Sequence, residues 1–239
     1  MNVTAEFLKN VLENREMYFR LAVDISRYTR EIGKEAGFFT YKLRGLEGAL
    51  LVFPDDSGKN DFDRGDENSI TLSCDTYGLV NVGDENNPNM NPFYLLIDTH
   101  SHPIGDCGAS DGDLYTRTQE REAIKTASGL DIRVIGAVVA PLHSEGYSSL
   151  FLFQEKDGII PKKISEKLFQ DFLAIFKEKN DRFFQYLKKS DLEGYNCEFF
   201  SVAKFYEESG LYNAIEILFN EENGFDIPIE DLRRFEFSE

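Results

Sequence analysis

The residues best equipped for chemistry lie in one stretch, Thr99-His100-Ser101-His102-Pro103-Ile104-Gly105-Asp106-Cys107-Gly108-Ala109-Ser110-Asp111-Gly112-Asp113. It holds two of the chain's 3 histidines, and its pattern is H-x-H, seven residues, then S-x-x-D. Two imidazoles and one carboxylate make a three-ligand set that leaves zinc an open position for water, as catalytic rather than structural sites do. Side chains at i and i+2 of a strand point the same way, so His100 and His102 can aim at one point while Ser101 faces away. Pro103 then ends ladder pairing and turns the chain. The small residues Gly105, Gly108 and Ala109 let the loop fold back closely enough for Asp113, in the first turn of a helix, to reach the same ion.

Each part taken alone has a plainer reading. H-x-H occurs by chance on many surfaces, and Ser110-x-x-Asp113 is a capping-box-like helix start. Their joint placement, after an apolar strand and before a helix, is what capping does not explain. Asp111 is an alternative third ligand, but the spacing favours Asp113. Cys107 reads as a plain loop cysteine, His143 as a surface histidine, and Asp98 and Thr99 as candidates to contact the ligand imidazoles from behind.

The elements that must position this stretch are legible around it. Residues 4 to about 33 read as an amphipathic helix with Phe7, Val11, Tyr18, Leu21, Ile25, Tyr28 and Ile32 on one face, capped by Thr4 and ended by Gly33. Two paired strands follow at 37–43 and 49–53, joined by a turn at Arg44-Gly45. The acidic segment 54–68 reads as an exposed loop, 70–82 as containing a strand, and 83–92 as turn-rich. Phe93-Tyr94-Leu95-Leu96-Ile97 has the look of a buried strand, with the histidines at its end. A helix is expected from Asp113 to about Ser128, stopped by Gly129, then strands at 132–140 and 149–153. Beyond Pro161 the apolar residues Ile164, Leu168, Phe172, Ile175, Phe176, Phe183 and Leu187 take helical spacing, and shorter helices are expected near 198–208 and 211–221. The reading is an α/β catalytic domain over 1–158 and an α-helical extension over 159–239, packed on the first domain or binding a protein partner. Ala203–Ile215 is similar to the section between the helices of a tetratricopeptide repeat, although one unit cannot bury its own face.

Composition narrows the partners. The formal charge is −17, from 26 basic and 43 acidic residues, which repels phosphate backbones and anionic membranes and argues against nucleic-acid binding. The start of the chain lacks a signal-peptide pattern, and no apolar run approaches the ~20 residues of a membrane span. The 3 cysteines are widely spaced and form no disulfide framework, so a soluble cytoplasmic protein is expected.

His100-x-His102-Pro103, seven residues, Ser110-x-x-Asp113 resembles the signature of the JAMM (MPN+) zinc metalloproteases. The order of elements from about residue 17 to 155 is also similar to the JAMM/MPN domain, a curved mixed β-sheet flanked by helices. The resemblance implies that His100, His102 and Asp113 bind Zn2+, and that Ser110 donates a hydrogen bond to the scissile carbonyl as it becomes anionic. A glutamate after the first long helix would be the general base. Glu35-Ala36-Gly37-Phe38-Phe39 resembles the family's Glu-x-Gly-Gly segment with one glycine missing, and Glu47-Gly48-Ala49-Leu50-Leu51 is the rival; Glu35 is preferred. The implied activity is hydrolysis of a peptide or isopeptide bond in a protein substrate, releasing ubiquitin or a ubiquitin-like or small sulfur-carrier modifier. The alternatives are a non-catalytic MPN-type scaffold within a complex and a nucleic-acid-associated protein of the RadC type, which shares a similar H-x-H…S-x-x-D set.

Overall fold

The computed structural model describes residues 15–44, 51–52, 62–67, 77–81, 87, 89–130, 132–143, 146–156, 206–207, 209–222 and 224–225, and the single residues 165, 167, 169, 171 and 203. Helix α1 (Arg15–Ile32) leads into β1 (Ala36–Leu43), followed by the short strands β2 (Leu51–Val52), β3 (Asp63–Arg64) and β4 (Leu79–Asn81). Strand β5 (Met90–Ser101), helix α2 (Asp111–Ser128), β6 (Arg133–Pro141), β7 (Tyr147–Glu155), β8 (Tyr212–Asn220) and β9 (Gly224–Phe225) complete the order. The sheet runs β2-β1-β5-β6-β7-β8-β9, with β3 also on β1 and β4 also on β5. Among the described residues only β5 and β6 pair in parallel, and α2 is the crossover between them. This is a mixed α/β fold with an open, mostly antiparallel sheet.

The helices lie on opposite faces of the sheet. Tyr18, Leu21, Ala22 and Ile25 of α1 pack on Phe38, Leu95, Ile97, Ile135, Ala137, Val139, Leu150 and Leu152. On the other face Leu114 of α2 packs with Val138, Ala140, Phe151 and Phe153, and Ile124 with Phe39, Tyr41, Leu96 and Val134. Each such large side chain contributes roughly 1.5–3 kcal/mol when fully buried. The alternation along β5 sends Leu95, Ile97, Thr99 and Ser101 towards α1 and Leu96, Asp98 and His100 towards α2. The apolar spacing of α1 is realised at Tyr18, Leu21 and Ile25, but Ile32 is exposed at the helix end. Gly33 closes the helix with φ +71, its N–H bonded to the Thr29 carbonyl at 2.9 Å.

Several boundaries differ from expectation. Asp63–Arg64, within the segment expected to be loop, pairs with Ala36–Gly37 as β3. Strand β5 begins at Met90, inside the stretch expected to be turns. The largest correction is at 211–221, where the expected helix is strand β8, antiparallel to the whole of β7 from Tyr147↔Asn220 to Glu155↔Tyr212. The tetratricopeptide-like pattern therefore ends in a sheet strand, not in a second helix, and this part of the expected helical extension belongs to the same sheet as the strands before it. Ile215, Ile217 and Phe219 of β8 join the α1-side core and Tyr212 and Ala214 at its start the α2-side core, while Leu218 near its end is exposed. Residues 203, 206 and 207 are helical, and Phe169 N–H bonds the Ser165 carbonyl at 2.8 Å in the i→i−4 manner. The remaining helical expectations beyond residue 157, the first turns of the expected 4–33 helix and the Thr4 cap lie outside the described residues.

Just beyond the end of β8, buried Glu221 joins the C-terminal strand to α1. It accepts from Ser148 Oγ at 2.8 Å, Arg30 Nη2 at 3.1 Å and Ser26 Oγ at 3.3 Å. Burial pushes its carboxyl up, but these hydrogen bonds and the Arg30 charge outweigh it and hold the group below its ordinary 4.5. A depressed carboxylate stabilises the fold above its unfolded value and loses that contribution as pH falls through the folded one. Glu221→Gln should therefore cost about 1–3 kcal/mol at neutral pH. In denaturant unfolding the gap from wild type should narrow below pH 4.5. A gap that does not change with pH would count against this ionic role.

Candidate metal centre

Strand β5 delivers His100 on its α2-facing side, and His102 follows one step beyond the strand's end, held by its N–H to the Val139 carbonyl at 2.9 Å. From behind, Ser101 Oγ accepts from Ala36 N–H at 2.8 Å and lies 2.5 Å from Thr29 Oγ1, tying β5 to the start of β1 and the end of α1. The loop then turns at Gly105, whose φ of +82 favours glycine, and the exposed His143 ring would lie 3.0 Å from a Cβ there. Gly105 N–H bonds the Pro141 carbonyl at 2.8 Å, and the buried Tyr206 hydroxyl donates to the Ala109 carbonyl. The path from His102 to Asp113 is thus anchored by β6 and by the C-terminal part of the chain.

Helix α2 starts with a complete capping box. Ser110 is the N-cap, its Oγ accepting from Asp113 N–H at 3.1 Å, while Ser110 N–H donates to Asp113 Oδ2 at 2.6 Å. The Ser110 hydroxyl also lies 2.8 Å from Asp113 Oδ2. The cap that begins the helix therefore also fixes the rotamer of the carboxylate it would present to a metal.

His100 Nε2, His102 Nε2 and the Asp113 carboxylate converge. The two ring nitrogens lie 3.0 Å apart, and each is 3.2 Å from a different Asp113 oxygen. Ligand atoms at tetrahedral corners around zinc, about 2.0–2.1 Å from the ion, are separated by about 3.3 Å. The three donors stand at nearly that spacing, and both histidines are buried. The δ nitrogens turn to other carboxylates: His100 Nδ1 is 4.0 Å from Asp98 Oδ1 and His102 Nδ1 is 3.6 Å from Asp106 Oδ2. The two ε nitrogens and the carboxylate aim at one point, where a divalent cation would be held by all three. The donor set therefore fits zinc. No protein-family model, curated protein or solved structure matches the chain.

Charge organises the rest of the centre. Burial alone would raise Asp113, but His100 and His102 outweigh it and hold its carboxyl well below the ordinary range. Burial would lower His102, yet Asp113 and Asp106 raise it well above the ordinary imidazole value. Glu35 stands just before β1; continuing the register in which Gly37 faces His100 sets Glu35 opposite His102. Its N–H bonds the Asp66 carbonyl and its carbonyl accepts from Gly65 N–H, both at 2.8 Å, so β3 and the residues after it hold it in place. Burial raises the Glu35 pKa, partly opposed by His102 and His100.

The other candidates separate clearly. Asp98 reaches towards His100, but Thr99 faces the opposite side and pairs with Tyr18 Oη at 2.9 Å. Asp111 bonds the Gly112 N–H and is outside the converging set. Cys107 is not a free loop thiol: it is disulfide-bonded and fully buried with Ala109, Leu114 and Val138, its partner lying outside the described residues. Glu47 also lies outside them. Arg117, which pairs with Asp98 and lies 2.7 Å from Glu120, was not expected; the signal for it is its place one helical turn after Asp113.

Proposed function

We propose that this chain is a zinc-dependent hydrolase of peptide or isopeptide bonds, similar to the JAMM (MPN+) metalloproteases. The observation that carries the reading is the convergence of His100, His102 and Asp113 at 3.0–3.2 Å, with buried Glu35 across the strand pair from His102. Zinc held by those three residues supplies a Lewis acid for the scissile carbonyl and acidifies water. Glu35 is the base that takes the proton of the attacking water and passes it to the departing amine, so the products are a carboxylate and a free amine. Its burial, which raises its proton affinity, suits a group that must both accept and release a proton. Ser110 is exposed and bonded to Asp113, and its hydroxyl would turn from Asp113 towards the carbonyl oxygen as charge develops there. The substrate class is a protein carrying a ubiquitin-like modifier or an extended C-terminus. Among the described residues no helix is long and apolar enough to cross a membrane.

Metal removal tests the reading. Purified protein should contain zinc, lose hydrolysis of an isopeptide-linked ubiquitin-like substrate on chelation, and regain it when zinc is returned. Activity that survives complete chelation refutes the reading. Bound zinc with no hydrolysis across linear and isopeptide substrates would instead favour the scaffold role.

A further inference from the structure

We infer that the buried Asp98–Arg117 ion pair is a positioning device for the metal centre, orienting the His100 ring and fixing helix α2 against strand β5. The inference rests on the zinc reading of His100, His102 and Asp113. Asp98 is two residues before His100 on the same face of β5, and Arg117 is four residues after Asp113 on the same face of α2. The pair therefore repeats, one step further along both elements, the contact that His100 makes with Asp113. Arg117 Nη1 pairs with Asp98 Oδ2 and also lies 2.7 Å from Glu120 Oε2, so its guanidinium is held from both sides. Asp98 Oδ1, the other oxygen, is the one facing His100 Nδ1 at 4.0 Å, and that buried nitrogen has no hydrogen-bond partner among the described residues.

The surroundings are shaped for this pair. Gly136 is the register neighbour of Asp98 on β6, and a Cβ there would lie 2.1 Å from the Phe153 ring. Arg117, Gly136 and Phe153 line one small cavity under α2. Elsewhere on this face the sheet presents Leu96, Val134 and Val138, and a buried ion pair offers no stability that such residues could not match. Asp98 and Arg117 are 1% and 8% exposed, so the full desolvation cost falls on them. Stability therefore does not explain the pair. A carboxylate behind a ligand imidazole does: it selects the Nδ1–H tautomer, orients the ring and makes Nε2 a better donor.

The decisive comparison is wild type against Asp98→Leu/Arg117→Met, which removes both charges together. Zinc affinity is read by competition with a chromophoric chelator, ligand geometry by the visible spectrum of the cobalt(II) form, and the fold by unfolding of the metal-free protein. The expected result is a zinc affinity about 10–100-fold weaker and a changed cobalt spectrum. The metal-free fold should be as stable as wild type or more so. Asp98→Asn, which keeps the side chain's shape, is the second variant and should weaken zinc in the same direction. Wild-type affinity and an unchanged cobalt spectrum in either folded variant overturn the inference while leaving the metal centre intact. A wild-type chain that binds no zinc overturns both.

Discussion

Asp113→Asn should lower zinc affinity by more than about 100-fold and remove the proposed hydrolysis with it, because it deletes a proposed ligand and not merely a residue behind one. Asparagine keeps an oxygen able to accept from Ser110 N–H, so the capping box survives in part. The loss of a negative charge from the first turn of α2 costs the helix only about 0.3–1 kcal/mol. A large effect on metal with a small effect on the fold is the signature sought. Titration of the metal-free protein by NMR gives a second measure. Burial depresses His102 while Asp113 and Asp106 raise it, so removing the Asp113 charge should bring its pKa down. Zinc affinity unchanged in Asp113→Asn would show that the converging donors are only a buried ion pair.

What could be read from the sequence was local. H-x-H needs only the period of a strand, and the capping box only the first turn of a helix. Those two short-range rules bring His100, His102, Ser110 and Asp113 together once Pro103 and Gly105 turn the chain. Glu35 lies far from them in sequence, but it precedes a strand, and the β1–β5 pairing does the rest. The same period-two rule favours Asp98 over Thr99 behind His100, since only Asp98 shares its face. Strand β8 was hidden for the opposite reason. Ile215, Ile217 and Phe219 are buried on one face and Tyr212 and Ala214 on the other, so apolar and polar residues do not alternate regularly, and periodicity cannot tell such a strand from a helix. The Arg117–Asp98 pair needs helix and sheet docked before it exists, and the Cys107 disulfide depends on a distant partner.

Glu35→Gln separates catalysis from metal binding. Glutamine has nearly the same shape and can keep both backbone bonds to Gly65 and Asp66, but it cannot take a proton from water. Turnover should fall by about 10²–10⁴-fold while zinc affinity changes little. Stability of the metal-free protein should move the other way. Burial holds the folded Glu35 pKa above its ordinary 4.5, so the folded state favours the protonated form. Stability from this group is therefore complete below pH 4.5 and is lost as pH rises through the folded value. Glutamine carries no charge to desolvate, so the variant should match wild type in acid and exceed it at neutral pH. A variant inactive but more stable is what a buried base predicts, because the cost of keeping a carboxylate in that position is borne for its reactivity. Undiminished turnover in Glu35→Gln would move the base elsewhere, with Glu47 the first to try. Unchanged stability would show instead that Glu35 is well solvated and poorly placed to exchange protons with the leaving amine.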